Sequence, residues 1–140
     1  VWSWLLPDEA SRAERTEAAI AAFPALRDRL DDRAGSLSGG QQQMLALAKA
    51  VMLEPELLLI DELSLGLAPL VVQELLGVVE QLKARGITMV IVEQSVIVAL
   101  SIAARAVFMD RGRVQVEGPA QELLERDDLL RAVFLSGEGA

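Results

Sequence analysis

The sequence predicts an α/β fold, a mainly parallel sheet flanked by helices. Two short apolar runs, "LLLID" at 57–61 and "ITMVIV" at 87–92, have the length and composition of strands covered on both faces. Between and before them lie stretches whose apolar residues recur at helical spacing. Glycine and proline stand at the joints, so the chain reads as alternating helix and strand.

The chain opens "VWSWLLPDEA", without an initiating Met, which is compatible with a piece of something longer. Asp8 is the predicted cap of a helix over "EASRAERTEAAIAAF". Pro24 interrupts it, and "ALRDRLDDRAG" predicts a short charged helix closing at Gly35. Ser38, with Gln41 three residues on, matches a capping box. The helix it opens places Met44, Leu47, Ala48, Val51 and Met52 on one buried face, and Pro55 ends it.

After "LLLID", a helix is predicted from near Pro69, a residue suited to a first helical turn. Val72, Leu75, Leu76, Val79 and Leu82 line one side of it. Lys83 and Arg85 occupy its last turn, and Gly86 provides the stop. "ITMVIV" is the second buried strand, followed by a helix around 96–104. "AVFMD" and "RVQVEG" predict two strands joined at Arg111-Gly112. Pro119 opens the last helical stretch, and "SGEGA" reads as a frayed tail.

Composition narrows the chemistry. The 140 residues suffice for one ordinary domain, and 52% apolar with 24% charged residues is globular usage. A net charge of −8 with no basic stripe argues against a nucleic-acid partner. Cysteine and histidine are both absent, which removes disulfides, thiolate sites and imidazole chemistry. Acid–base chemistry must rest on carboxylates, amides or a bound cofactor. The longest apolar region, beginning at "ITMVIV", is interrupted by Glu93, Gln94, Ser95, Ser101 and Arg105, so it does not read as a membrane span.

Two constellations carry chemistry. An apolar strand releasing Asp61 and Glu62 at its C-terminal end puts two carboxylates where α/β sheets bind ligands. In nucleotide hydrolysis the first carboxylate of such a pair can hold Mg²⁺ and the second can orient and polarise water. The same pair would also serve simply to end a strand and open a solvated loop. In "SLSGGQQQ", Gly39 and Gly40 have no side chains to block approach, and the first helical N–H groups are unpaired. With the helix dipole behind them and the Ser38 hydroxyl beside them, they suit an anion. A plain capping box with two weakening glycines is the alternative.

Together, Leu37-Ser38-Gly39-Gly40-Gln41, a helix, and then "LLLIDE" resemble the signature and Walker B segments of ATP-binding-cassette ATPases. The resemblance runs from Arg33 to Leu135. It implies a P-loop NTPase-like fragment with part of the helical subdomain at its N-terminus. Asp61 would serve Mg²⁺, directly or through water, and Glu62 would be the catalytic carboxylate. Ser38, Gly39, Gly40 and Gln41 would meet the γ-phosphate of ATP held by the opposing subunit of a head-to-tail dimer. "SLGLAP" at 64–69 resembles the loop that crosses that dimer, and Gln94 in "VEQS" occupies the switch position. With "RAGSLSGGQQQMLALAKAVM" and the ending "AVFLSGE", the wording is similar to ATPases of branched-chain or hydrophobic amino acid importers. These work with membrane permease subunits, peripherally at the cytoplasmic face.

The resemblance divides the chain into a helical-subdomain portion (1–54), an α/β core portion (55–117) and C-terminal helices with a tail (118–140). It is also incomplete. A phosphate cradle needs Lys directly after Gly, yet Lys49 follows Ala48 and Lys83 follows Leu82. The family's adenine-stacking aromatic and first glutamine loop are not identifiable either. The chain therefore resembles the C-terminal half of a cassette, expected to be inactive alone. Leu63 stands where the family usually has Pro, and Ala68 where many members have Asp. Without the cradle strand, "ITMVIV" and "AVFMD" are expected to present unpaired apolar edges. A catalytic importer subunit, a non-catalytic orphan half acting as an interaction module, and a cassette ATPase of DNA repair or chromosome organisation are the functions to separate. The acidic balance and the lack of long heptads disfavour the third.

Overall fold

A computed structural model describes residues 8–126, so the "SGEGA" tail, the "AVFLSGE" ending and the opening residues lie outside the described residues. The chain divides into two compact units, one up to Val92 and one from Glu93 onward.

The first unit begins with α1 (Glu9–Ala22), capped as expected by Asp8. The Asp8 carboxylate accepts the Ser11 N–H at 2.7 Å and the Ser11 hydroxyl at 3.0 Å. The predicted charged helix closing at Gly35 does not form. Residues Pro24–Arg29 and Ala34–Ser36 instead make two separate 3₁₀ turns. Leu26 is the only buried residue of the first, the second has none, and Leu30 is left 59% exposed. A segment with one apolar anchor cannot recover the cost of nucleating and extending an α-helix.

Helix α2 (Gly39–Val51) buries Gly40, Met44, Leu47, Ala48 and Val51. Met52, expected on that face, is instead the half-buried C-cap. Its carbonyl accepts a hydrogen bond from Arg15 of α1 at 3.2 Å, and Arg15 also pairs with Glu54 at 2.9 Å. A cation at a helix C-terminus offsets the unpaired carbonyls there.

Strand β1 (Leu57–Asp61), helix α3 (Pro69–Ala84) and strand β2 (Thr88–Val92) form a parallel crossover unit. The register runs from Leu57↔Thr88 to Asp61↔Val92. Helix α3 buries Leu75, Val78, Val79 and Leu82, an i, i+3, i+4, i+7 stripe. Val78 is thus added to the expected stripe, while Val72 and Leu76 are only half-buried. Gly86, at φ +84°, stops the helix as predicted.

The strands depart from expectation in one respect. Leu58 and Ile60 are buried, but Leu57 and Leu59 are 53% and 69% exposed, so β1 is covered on one face only. A single crossover helix can cover only one side of a two-stranded sheet. The doubly apolar run asks for a second layer that the described residues do not supply.

The second unit holds α4 (Val96–Ile102), β3 (Arg105–Asp110), β4 (Arg113–Pro119) and α5 (Ala120–Leu124). Ser95 caps α4 by accepting the Val98 N–H at 3.4 Å. β3 and β4 are antiparallel, with Asp110 opposite Arg113 and a local irregularity between Phe108 and Met109. Leu100, Ala120 and Leu123 form its core, with Phe108 and Val116 packed against them. Among the described strands β2 pairs only with β1 and β3 only with β4, which leaves each with an unpaired edge. The α/β fold is thus realised as one parallel and one antiparallel ladder.

Candidate functional site

At the start of α2 the predicted capping box is present in full. Ser38 is extended (φ −62°, ψ 159°); its hydroxyl accepts the Gln41 N–H at 3.3 Å, and the Gln41 side chain accepts the Ser38 N–H at 3.0 Å. The Gln42 side chain anchors the turn by donating to the Leu37 carbonyl at 3.0 Å. An accepting hydroxyl keeps its own hydrogen for a second partner. Gly39 and Gly40, in the first helical turn, have no intrahelical carbonyl to bond. Donors and dipole therefore coincide at this turn.

The two glycines differ. Ser38 and Gly39 are exposed, whereas Gly40 is buried. A Cβ at position 39 would meet only Leu67 Cδ2, at 3.9 Å, but one at position 40 would lie 2.6 Å from Val71 Cγ1. Close packing against α3 is thus a requirement at position 40 that sequence reasoning missed. Nothing local announces it, because Val71 belongs to another helix.

The carboxylates follow β1. Asp61 is its last residue, exposed and opposite Val92. Glu62 is half-buried and adopts φ +51°, a left-handed conformation that costs a non-glycine residue on the order of 1 kcal/mol. It is held there from both sides. Its N–H donates to the Val92 carbonyl at 2.9 Å, and the next residue, Leu63, is only 1% exposed. Leu63 is therefore a core plug that fixes the chain leaving Glu62. The loop then turns through Gly66 at φ +71°, with the Leu67 N–H bonded to the Ser64 carbonyl at 3.3 Å. It ends with Leu67 near Gly39 and Val71 against Gly40. The path from the acids thus passes beside Gly39 and Gly40.

Gln94 lies two residues beyond β2, exposed, in the second unit and directly before the α4 cap. Among the described residues no group of three or more His, Cys, Asp or Glu is arranged to hold a metal ion. Magnesium keeps several waters and commonly takes one or two carboxylates plus phosphate oxygens. Asp61, exposed at the end of β1, could offer such an ion one carboxylate. A cavity of about 340 Å³, lined by Phe23, Met44, Leu75 and Val78, contains none of these residues and is mostly apolar.

Comparison with known proteins shows what the chain is similar to. Residues 6–64 match the family model described as ABC transporter. The chain is 42% identical over 118 residues to the high-affinity branched-chain amino acid transport ATP-binding protein BraG of Pseudomonas aeruginosa, covering 84% of this chain and 50% of that protein. It is 40% identical over 110 residues to the glutamine transport ATP-binding protein GlnQ of Geobacillus stearothermophilus, covering 78% and 46%. A solved ATP-binding cassette of an ABC transporter superposes with a TM-score of 0.77 at 26% identity, covering 92% of this chain and 52% of that one. The chain spans about half the length of the relatives it matches.

Proposed function

The chain belongs to the ABC transporter family, and from that membership we propose that it is the signature-bearing and Walker B-bearing part of an ATP-binding subunit for amino acid import. Relatives named for branched-chain amino acid and for glutamine transport support amino acids as the cargo class, and the first favours the branched-chain type. Residues 1–54 would be the helical-subdomain portion, 55–117 the core portion and 118–140 the C-terminal helices.

In this reading Ser38, Gly39, Gly40 and Gln41 present hydroxyl and backbone donors to the γ-phosphate of an ATP bound by a second ATPase subunit. Asp61 holds Mg²⁺, directly or through water, and the ion supplies charge neutralisation on the phosphates. Glu62 polarises the attacking water, and Gln94 donates an amide hydrogen bond to the phosphoryl group. Permease subunits carry the solute, and the ATPase pair docks on their cytoplasmic side. Among the described residues no helix is long and apolar enough to cross a membrane.

The single observation that carries the proposal is the joint geometry. The segment that follows Asp61 and Glu62 brings Leu67 and Val71 beside Gly39 and Gly40, the first residues after an intact capping box with exposed Ser38. The alternative reading is a non-catalytic orphan half acting as an interaction module. A cradle-bearing N-terminal half of a relative, fused ahead of Val1, separates the two. ATP turnover by the fusion, lost by at least a hundredfold in Glu62→Gln, is the expected result; the unfused chain should not bind micromolar ATP by calorimetry. A folded fusion without turnover would favour the module.

A further inference from the structure

Gly40 carries a constraint unlike that of any other described glycine. A Cβ there would come within 2.6 Å of Val71 Cγ1 and 3.3 Å of Cγ2, while Gly35, Gly66, Gly77, Gly86 and Gly112 meet nothing within 4 Å. Valine is β-branched and stiff at χ1, so neither methyl can swing away at little cost. Helix α3 cannot retreat readily either, since Leu75 and Val79, one and two turns on, are 0% and 1% exposed. Val71 is the third residue of α3, and Leu67, in the loop just before that helix, lies 3.9 Å from a Cβ at position 39.

We propose that Val71 is a positioning residue for the Ser38–Gly39 turn: it seats the N-terminus of α3 against the bare Cα of Gly40. It thereby ties the phosphate-facing turn to the loop that leaves Asp61 and Glu62. This deepens the proposed function and rests on it for the role of the turn, but the packing can be tested without nucleotide. A shift of the loop at the carboxylates moves the start of α3, and the Val71–Gly40 contact passes that shift to Ser38 and Gly39. The two constellations then respond together.

The test is a double-mutant cycle in the full chain, read by thermal melting and by the amide resonances of Ser38 and Gly39. Gly40→Ala is expected to lower Tm by about 5 °C or more through overpacking and to move both resonances. In a Val71→Ala background the offending methyls are gone, and the remaining Val71 Cβ lies at an ordinary 3.5 Å. There Gly40→Ala should leave Tm unchanged or raise it, because alanine favours a helix over glycine. If Gly40→Ala alone does not fold, the comparison of Val71→Ala with the double variant still decides.

An equal loss in both backgrounds, or none in the native one, overturns the inference. So does a rescued Tm with the Ser38 and Gly39 resonances unmoved in every variant, since Val71 would then pack α3 without positioning the turn. A cradle-bearing fusion that is silent without any substitution sinks the ATPase reading and leaves the melting comparison to judge Val71.

Discussion

Glu62 shows how its surroundings hold one residue's backbone in a left-handed conformation. A left-handed residue at the end of a strand redirects the chain, and it persists only where its surroundings fix it. Here the 2.9 Å bond to the Val92 carbonyl and the buried Leu63 do so. Leu63, at 1% exposure, supplies the fixation by burial. A different residue-scale effect governs Asp8. Its carboxyl is held below the usual range, first by the Ser11 N–H and then by the Ser11 hydroxyl. A depressed folded pKa contributes stability above the unfolded value and loses it as pH falls through the folded one. Asp8→Ala should therefore lower Tm at pH 7, and the gap should close as pH drops below about 4. Melting curves at pH 7 and pH 3 check this, and a gap that persists undiminished at pH 3 would refute the cap's ionic character.

At the scale of elements, the β3–β4 connection is the clearest case of local chemistry working against preference. Arg111 at φ +47° and Gly112 at φ +75° make a two-residue turn with both φ values positive. Such a turn matches the right-handed twist of the strands it joins but favours Asn or Asp before Gly. Arg111→Asn should raise Tm by one to a few degrees, corresponding to roughly 0.5–1 kcal/mol of relieved strain. Unchanged melting would mean that the arginine makes a compensating interaction. The hairpin was readable from Arg-Gly between two apolar runs. The 24–36 segment was not, because charged residues with good helix propensity hid the lack of anything to pack against.

For the molecule as a whole, the decisive feature is apolar surface. In the first unit Leu57, Leu59, Val90 and Val92 are each more than half exposed; in the second, Val107, Met109 and Val114 are exposed to a similar degree. Solvent-facing apolar strands with free edges recruit other chains. The isolated chain should thus unfold or scatter light in a concentration-dependent way. Leu59 and Val90 lie directly opposite in the β1–β2 register. The paired change Leu59→Lys with Val90→Glu removes apolar surface, adds a cross-strand ion pair and leaves net charge unaltered. It should lower scattering with Tm within a few degrees of the unsubstituted chain; unchanged scattering would show that this face is not the cause.

Strand positions, the Ser38–Gln41 capping box, the site of the paired acids and the Gly86 stop were all written in the sequence. Each depends on residues within a few positions of one another, where periodicity and capping act. The tertiary structure alone decided that Glu62 is left-handed, that Leu63 is its anchor, that Gly40 answers to Val71, and that only one face of β1 is covered. Those outcomes depend on which helix or strand arrives from elsewhere in the chain, and steric contact between distant segments leaves no local pattern to read.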